Sequence, residues 1–168
     1  QPFFMFFSFH DIHVPRLPHP MFAGKSEMGV RGDAIVQMDW ITGQVVNQLE
    51  KQGILNDTLI IFTSDNGPVL NDGYADQAAE LLGDHKPGGD FRGGKYSAYE
   101  AGTRVPTIVH YPARAKAGES KALMSQIDVY ASIADLLNIP LANNEAIDSV
   151  SYIDTWLNDS TKGRDELI

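Results

Sequence analysis

From Val30 to Gln52 apolar residues recur every third or fourth position (Val30, Ala34, Ile35, Met38, Ile41, Val45, Leu49), the period of an amphipathic helix, and Gly53 follows as a natural cap. The segment QPFFMFFSF has no such period. Its short apolar run from Phe3 to Phe9, set against the proline-punctuated HDIHVPRLPHP, predicts a fully buried strand leading into a loop. DTLIIFT (57–63) and RVPTIVHYP (104–112) read as further strands. SQIDVYASIADLLNI (125–139) reads as a helix with Ile127, Tyr130, Ile133, Ala134 and Leu137 on one face. Strand, loop, helix, strand is the order of an α/β fold, in which helices cover a largely parallel sheet. Residues 67–95 are glycine-rich and aperiodic, and a loop of that length in a compact domain is usually functional or disordered. Beyond Pro140 the pattern weakens, with Tyr152, Ile153, Trp156 and Leu157 as the only sizeable apolar cluster; no clean domain boundary shows, and 141–168 reads as a weakly patterned C-terminal extension of 1–140.

Composition narrows the function. The 168 residues are 43% hydrophobic and 21% charged, as in a soluble globular chain, and no stretch approaches the roughly 20 apolar residues of a membrane span. Phe3–Phe9 is too short to cross a bilayer and lacks the basic flank and cleavage site of a signal peptide. A net charge of −9 argues against nucleic acid and against an anionic membrane surface, since polyanions are bound by clustered Lys and Arg. With no cysteine there is no disulfide, thiolate metal site or cysteine nucleophile.

Three places hold candidate chemistry. Asp65 and Asn66 end the strand in LIIFTSDNGP, at the carboxyl end where α/β sheets bind ligands; their oxygens suit a hard cation such as Ca²⁺ or Mg²⁺, and equally an Asx-type turn. His10 and His13 follow the Phe3–Phe9 run, where an imidazole can contact an anion or protonate a leaving group, or simply occupy a loop. In FRGGKYSAYEAGTRVP, Gly93 and Gly94 free the backbone beside Lys95, whose ammonium would act as a point charge against a phosphate or sulfate, or be merely solvated. Glu100 and Arg104, four apart, read as a structural pair.

Taken in order, the His-x-x-His-x-Pro loop, the F-T-S-D-N-G strand tip and the R-G-G-K-x-x-x-Y-E-x-G-x-R-V-P segment resemble the sulfatase family, of the alkaline-phosphatase-like superfamily. The likeness runs from Phe3 to about Pro140 and includes MDWITGQVVNQLEKQGILNDTLIIFTSDNG. It implies a partial alkaline-phosphatase-like sheet, with Asp65 and Asn66 as ligands of a divalent cation, usually calcium. It makes His13 and Lys95 catalytic residues that contact the sulfate, His13 assisting the leaving group, and gives His10 a part in substrate contact or loop shape. The substrate would be an aryl or carbohydrate sulfate ester, and the protein exported or lysosomal.

Sulfatases also use a formylglycine made within [C/S]-x-P-[S/A/T]-x-R, and residues 1–168 contain no such motif. The chain therefore reads as the C-terminal part of the catalytic domain, without the N-terminal half that carries the nucleophile and an Asp-Asp metal pair. It is expected to be inactive alone and prone to self-association through uncovered apolar faces. The same half-site would serve a phosphoesterase or phosphonate-ester hydrolase, and a non-catalytic anion- or partner-binding module is the reading from another class.

Overall fold

The computed structural model describes residues 1–158 and 160–167. They form two compact units, Gln1–Gln52 with Thr63–Thr107, and Gly53–Phe62 with Ile108–Ile168.

In the first unit, helix α1 spans Gly29–Lys51, close to the expected bounds. Of its apolar stripe only Ala34 is fully buried, and Ile35, Met38, Ile41, Val45 and Leu49 are half-buried. The deepest positions are at its start, where buried Asp33 accepts the backbone N–H groups of Gly24 and Ser26, each at 2.8 Å. That carboxylate satisfies donors a turn would otherwise leave orphaned, and so fixes the approach to the helix. The 3-10 turn Pro20–Phe22 places buried Phe22 edge-on against Trp40, 5.7 Å between ring centroids. A four-residue helix, α2, spans Glu100–Thr103, and its Glu100 meets Arg104 at 2.8 Å as the spacing predicts.

Phe3–Phe9 is not a buried strand. No strand is assigned there, and Phe4 and Phe6 are 79% and 84% exposed. Apolar composition reports a tendency to be covered, but a strand exists only with a hydrogen-bonded neighbour. The described residues form one two-stranded sheet, and this segment is not part of it.

That sheet pairs β1 (Ile60–Thr63) with β2 (Thr107–His110). Both strands are shorter than their apolar runs. Leu55–Asp57 turns in a 3-10 conformation before β1, and Pro106, which has no N–H to give a ladder, stands before β2. In the second unit Leu59, Ile61, Val109 and Tyr111 pack on a buried cluster of Tyr152, Trp156 and Leu157, the last two from helix α4 (Ile153–Asn158). Helix α3 (Asp128–Leu136) adds Val129 and Leu136 to that core. α3 is shorter than the apolar period suggests. It ends where Asn138 turns left-handed (φ 55°) and the N–H of Ile139 reaches back to the Ala134 carbonyl at 2.8 Å. No described helix is long and apolar enough to cross a membrane.

The weakly patterned residues beyond Pro140 are thus core-forming, and polar bonds hold them. Ser132, fully buried, accepts the Tyr152 N–H at 2.9 Å and donates to the Asp128 carbonyl at 2.7 Å. Asp128, 1% exposed, accepts the Ser125 and Val150 N–H groups and Arg164 Nε at 2.8, 2.9 and 3.1 Å. Burial alone would raise its carboxyl pKa, but the bonds from Arg164, Ser125 and Val150 outweigh burial and lower it. Because the folded pKa lies below the unfolded value of about 3.9, this stabilisation is present above about pH 4 and is lost as pH falls through the folded value. Asp128→Asn should therefore flatten the acid limb of stability measured by urea unfolding at stepped pH, and at neutral pH cost about 2 kcal/mol through its donors left unsatisfied. An acid limb identical to wild type would contradict the assignment.

Candidate active site

Every residue singled out from the sequence lies in the first unit. The histidine loop closes with the His13 N–H on the His10 carbonyl at 3.1 Å, and both imidazoles are exposed. His13 Nδ1 lies 2.7 Å from the Val14 carbonyl, an acceptor, so Nδ1 carries the proton there and Nε2 is the nitrogen left for chemistry.

What holds this loop is Arg16, which the sequence did not single out. Its buried guanidinium donates Nε to the Ile12 carbonyl at 3.0 Å, Nη1 to Asp76 Oδ2 at 2.6 Å and Nη2 to the Val69 carbonyl at 3.4 Å. One planar fork thereby ties the histidine loop to two points on the glycine-rich loop, more than fifty residues away. Arg31 is buried beside this pair. Burial, then the charge of Arg16, lower its pKa against an opposing pull from Asp76, and its Nη1 has no partner among the described residues.

The Lys95 segment is bound to the Asp65–Asn66 turn by backbone. The Lys95 N–H meets the Pro68 carbonyl and the Gly67 N–H the Gly102 carbonyl, both at 2.9 Å. Both glycines are needed for this approach: a Cβ on Gly67 would sit 1.7 Å from the Ala101 carbonyl oxygen, and one on Gly94 2.6 Å from that of Pro68. Lys95 Nζ then reaches Asp72 Oδ2 at 3.3 Å, and the Tyr96 hydroxyl donates to Asp72 Oδ1 at 2.7 Å. Asp72 is the second residue absent from the sequence-derived set. Tyr96 first, then Lys95 and the nearby charge of His13, hold its carboxyl below the usual range despite opposing desolvation. For Lys95, desolvation pulls downward, but the bond to Asp72 and the Tyr96 hydroxyl leave the net pKa raised, so the ammonium persists. Asp72 is thus bonded to Lys95 and Tyr96, and the charge of His13 adds the smallest of the pulls on it; among the described residues no side-chain bond joins His10 or His13 to Lys95.

Asp65 is exposed and Asn66 half-buried; the Asn66 Nδ2 donates to the Gly67 carbonyl at 2.8 Å, leaving Oδ1 as the acceptor of that amide. One carboxylate and one amide oxygen are the donor types that Ca²⁺ or Mg²⁺ takes, and would fill two of the 6 to 8 positions of a calcium shell. No cluster of three or more His, Asp or Glu able to hold a metal is found among the described residues. The pair fits a metal as a contributor, not as a complete cage.

A family model described as Sulfatase matches residues 1–139, and the chain belongs to that family. It is 51% identical to the N-acetylgalactosamine-6-O-sulfatase of Bacteroides thetaiotaomicron over all 168 residues, and 36% identical to human steryl-sulfatase over 148. Among solved structures, a Bacteroides thetaiotaomicron protein described in connection with metabolism of multiple glycosaminoglycans superposes on 93% of the chain with TM-score 0.90 and 53% identity. The PsFucS1 sulfatase from Pseudoalteromonas sp. covers 94% with TM-score 0.75 and 35% identity. The fold is therefore part of the sulfatase α/β fold. The chain spans 33% of the length of the Bacteroides relative and 25% of the human one.

If Arg16 is the clamp, Arg16→Ala strands Asp76 as a buried unpaired carboxylate and should destabilise the protein by about 3 kcal/mol in denaturant titration. Arg16→Lys should recover only part of that, since an ammonium cannot bridge three acceptors in one plane. Full recovery by lysine would show that charge, not the fork, is what matters.

Proposed function

We propose that the chain carries the His13–Lys95 side of the active site of a sulfuric ester hydrolase. The observation that supports this most is the Lys95–Asp72 pair on the glycine-rich loop that Arg16 ties to the histidine loop, with the Lys95 segment bonded to the Asp65–Asn66 turn. In this reading the Lys95 ammonium meets the sulfate oxygens as a point charge that offsets negative charge developing on them. His13, with Nδ1 committed to the Val14 carbonyl, uses Nε2–H of its imidazolium to protonate the departing oxygen. His10 shapes the loop through its carbonyl.

Asp65 and Asn66 would hold the divalent cation, Ca²⁺ or Mg²⁺, which when bound draws charge from the sulfate. Sulfatases are generally metal-dependent. The nucleophile would be a formylglycine, for which residues 1–168 contain no precursor motif, so these residues alone should not turn over substrate. The natural ester would be an aryl or carbohydrate sulfate; the name of the 51%-identical Bacteroides relative favours a sulfated amino sugar. Export follows by analogy with the family. The exposed Phe3, Phe4, Phe6 and Phe7 support self-association of this chain when it stands alone.

Two measurements test this. In the protein that carries residues 1–168 together with its nucleophile, His13→Ala should lower kcat on a sulfate ester by about 10²- to 10⁴-fold. A value within threefold of wild type would remove His13 from the chemistry. Calcium should raise the melting temperature of wild type and not that of Asp65→Ala; an equal response in both would show that Asp65 is not a ligand.

A further inference from the structure

Tyr96 is held in a backbone conformation that its side chain disfavours. Its φ is +73°, in the left-handed region where Cβ crowds the following carbonyl and which bulky residues rarely occupy. Strain of this kind persists where the surroundings enforce it, and it concentrates at functional sites. Burial is not what Tyr96 gains, because the residue is 79% exposed. What the conformation achieves is the placing of its ring. The hydroxyl is pinned to Asp72 at 2.7 Å, and Lys95 Nζ lies over one face of the ring, 5.2 Å from its centroid, so the opposite face is the exposed aromatic surface, fixed next to the ammonium proposed to meet sulfate.

Asp72 adds a polar edge to that surface. Its carboxylate offers about four lone-pair positions. Lys95 and Tyr96 occupy two, leaving two to accept hydroxyl protons from a ligand. An aromatic face with a carboxylate acceptor at its edge suits a ring that is apolar on its face and bears hydroxyls around its rim. A sugar has both properties, whereas a plain aryl sulfate lacks the hydroxyls.

We propose that Tyr96 and Asp72 form the subsite for the sugar ring of a carbohydrate sulfate ester, Tyr96 stacking on the ring and Asp72 accepting its hydroxyls. Tyr96 is thereby a specificity-determining residue, and its backbone strain is retained for that purpose. The inference rests on the sulfate-ester reading and narrows its substrate class.

Tyr96→Gly is the informative variant, because glycine accepts φ +73° without strain and so should fold at least as well as wild type. In the protein bearing its nucleophile, kcat/KM is compared for N-acetylgalactosamine 6-sulfate and methyl sulfate, which has no ring to stack. The sugar-to-alkyl ratio is expected to fall about tenfold in Tyr96→Gly, a size reasonable for one aromatic contact, while the melting temperature holds or rises. Tyr96→Phe, which keeps the ring, should retain more of the ratio. An unchanged ratio, with or without a drop in melting temperature, overturns the subsite while leaving the hydrolase reading intact. Should wild type cleave neither compound, the hydrolase reading fails, and saturation-transfer NMR with the sulfated sugar decides the subsite: ring-proton transfer lost in Tyr96→Gly supports it, and transfer absent from wild type or equal in both refutes it.

Discussion

The buried guanidinium of Arg16 is the constraint from which the arrangement of the first unit follows. The histidine loop has no helix or strand to hold it, and neither has the glycine-rich loop that carries Asp72 and Asp76. Loops without regular hydrogen bonding keep a shape only if something else satisfies their backbone groups. Arg16 does so at Ile12 and Val69, and its charge is matched by Asp76. A buried ion pair is no guarantee of stability, because desolvation offsets much of the attraction. Its value here is geometric: a planar fork with three acceptors admits one relative placement of the two loops, and His13 and Asp72 ride on them.

A second device, made only of backbone, brings in Lys95. Gly67 and Gly94 let two loop segments approach closer than any side chain would permit, and the 2.9 Å bonds at Gly67 and Lys95 close the gap. Asp72, on the loop that Arg16 ties down, then accepts from Lys95 and Tyr96. Since desolvation disfavours a lone ammonium, the Asp72 partner explains how Lys95 stays charged when half-buried.

The regular elements were legible in the sequence, and the joints between them were not. Helix α1 declared itself because its period is long and its apolar residues many. Phe3–Phe9 misled, because a run of six apolar residues around Ser8 looks alike whether or not a neighbouring strand exists. Beyond Pro140 the cluster of Tyr152, Trp156 and Leu157 was visible as apolar residues, but Ser132 and Asp128 hold that region through polar bonds that no hydrophobic pattern records. His10, His13, Asp65, Asn66 and Lys95 stood out through dense local motifs. Arg16, Asp72 and Tyr96 act across separations of up to 60 residues or through an unusual backbone angle, and neither leaves a local trace.

If His13 and Lys95 face one anion position on the frame that Arg16 sets, as proposed, inorganic sulfate titrated into isotopically labelled protein should move the His13 ring and Lys95 Nζ resonances together, with a single apparent Kd. Movement of one without the other, or of neither, would show that the two residues do not share a site.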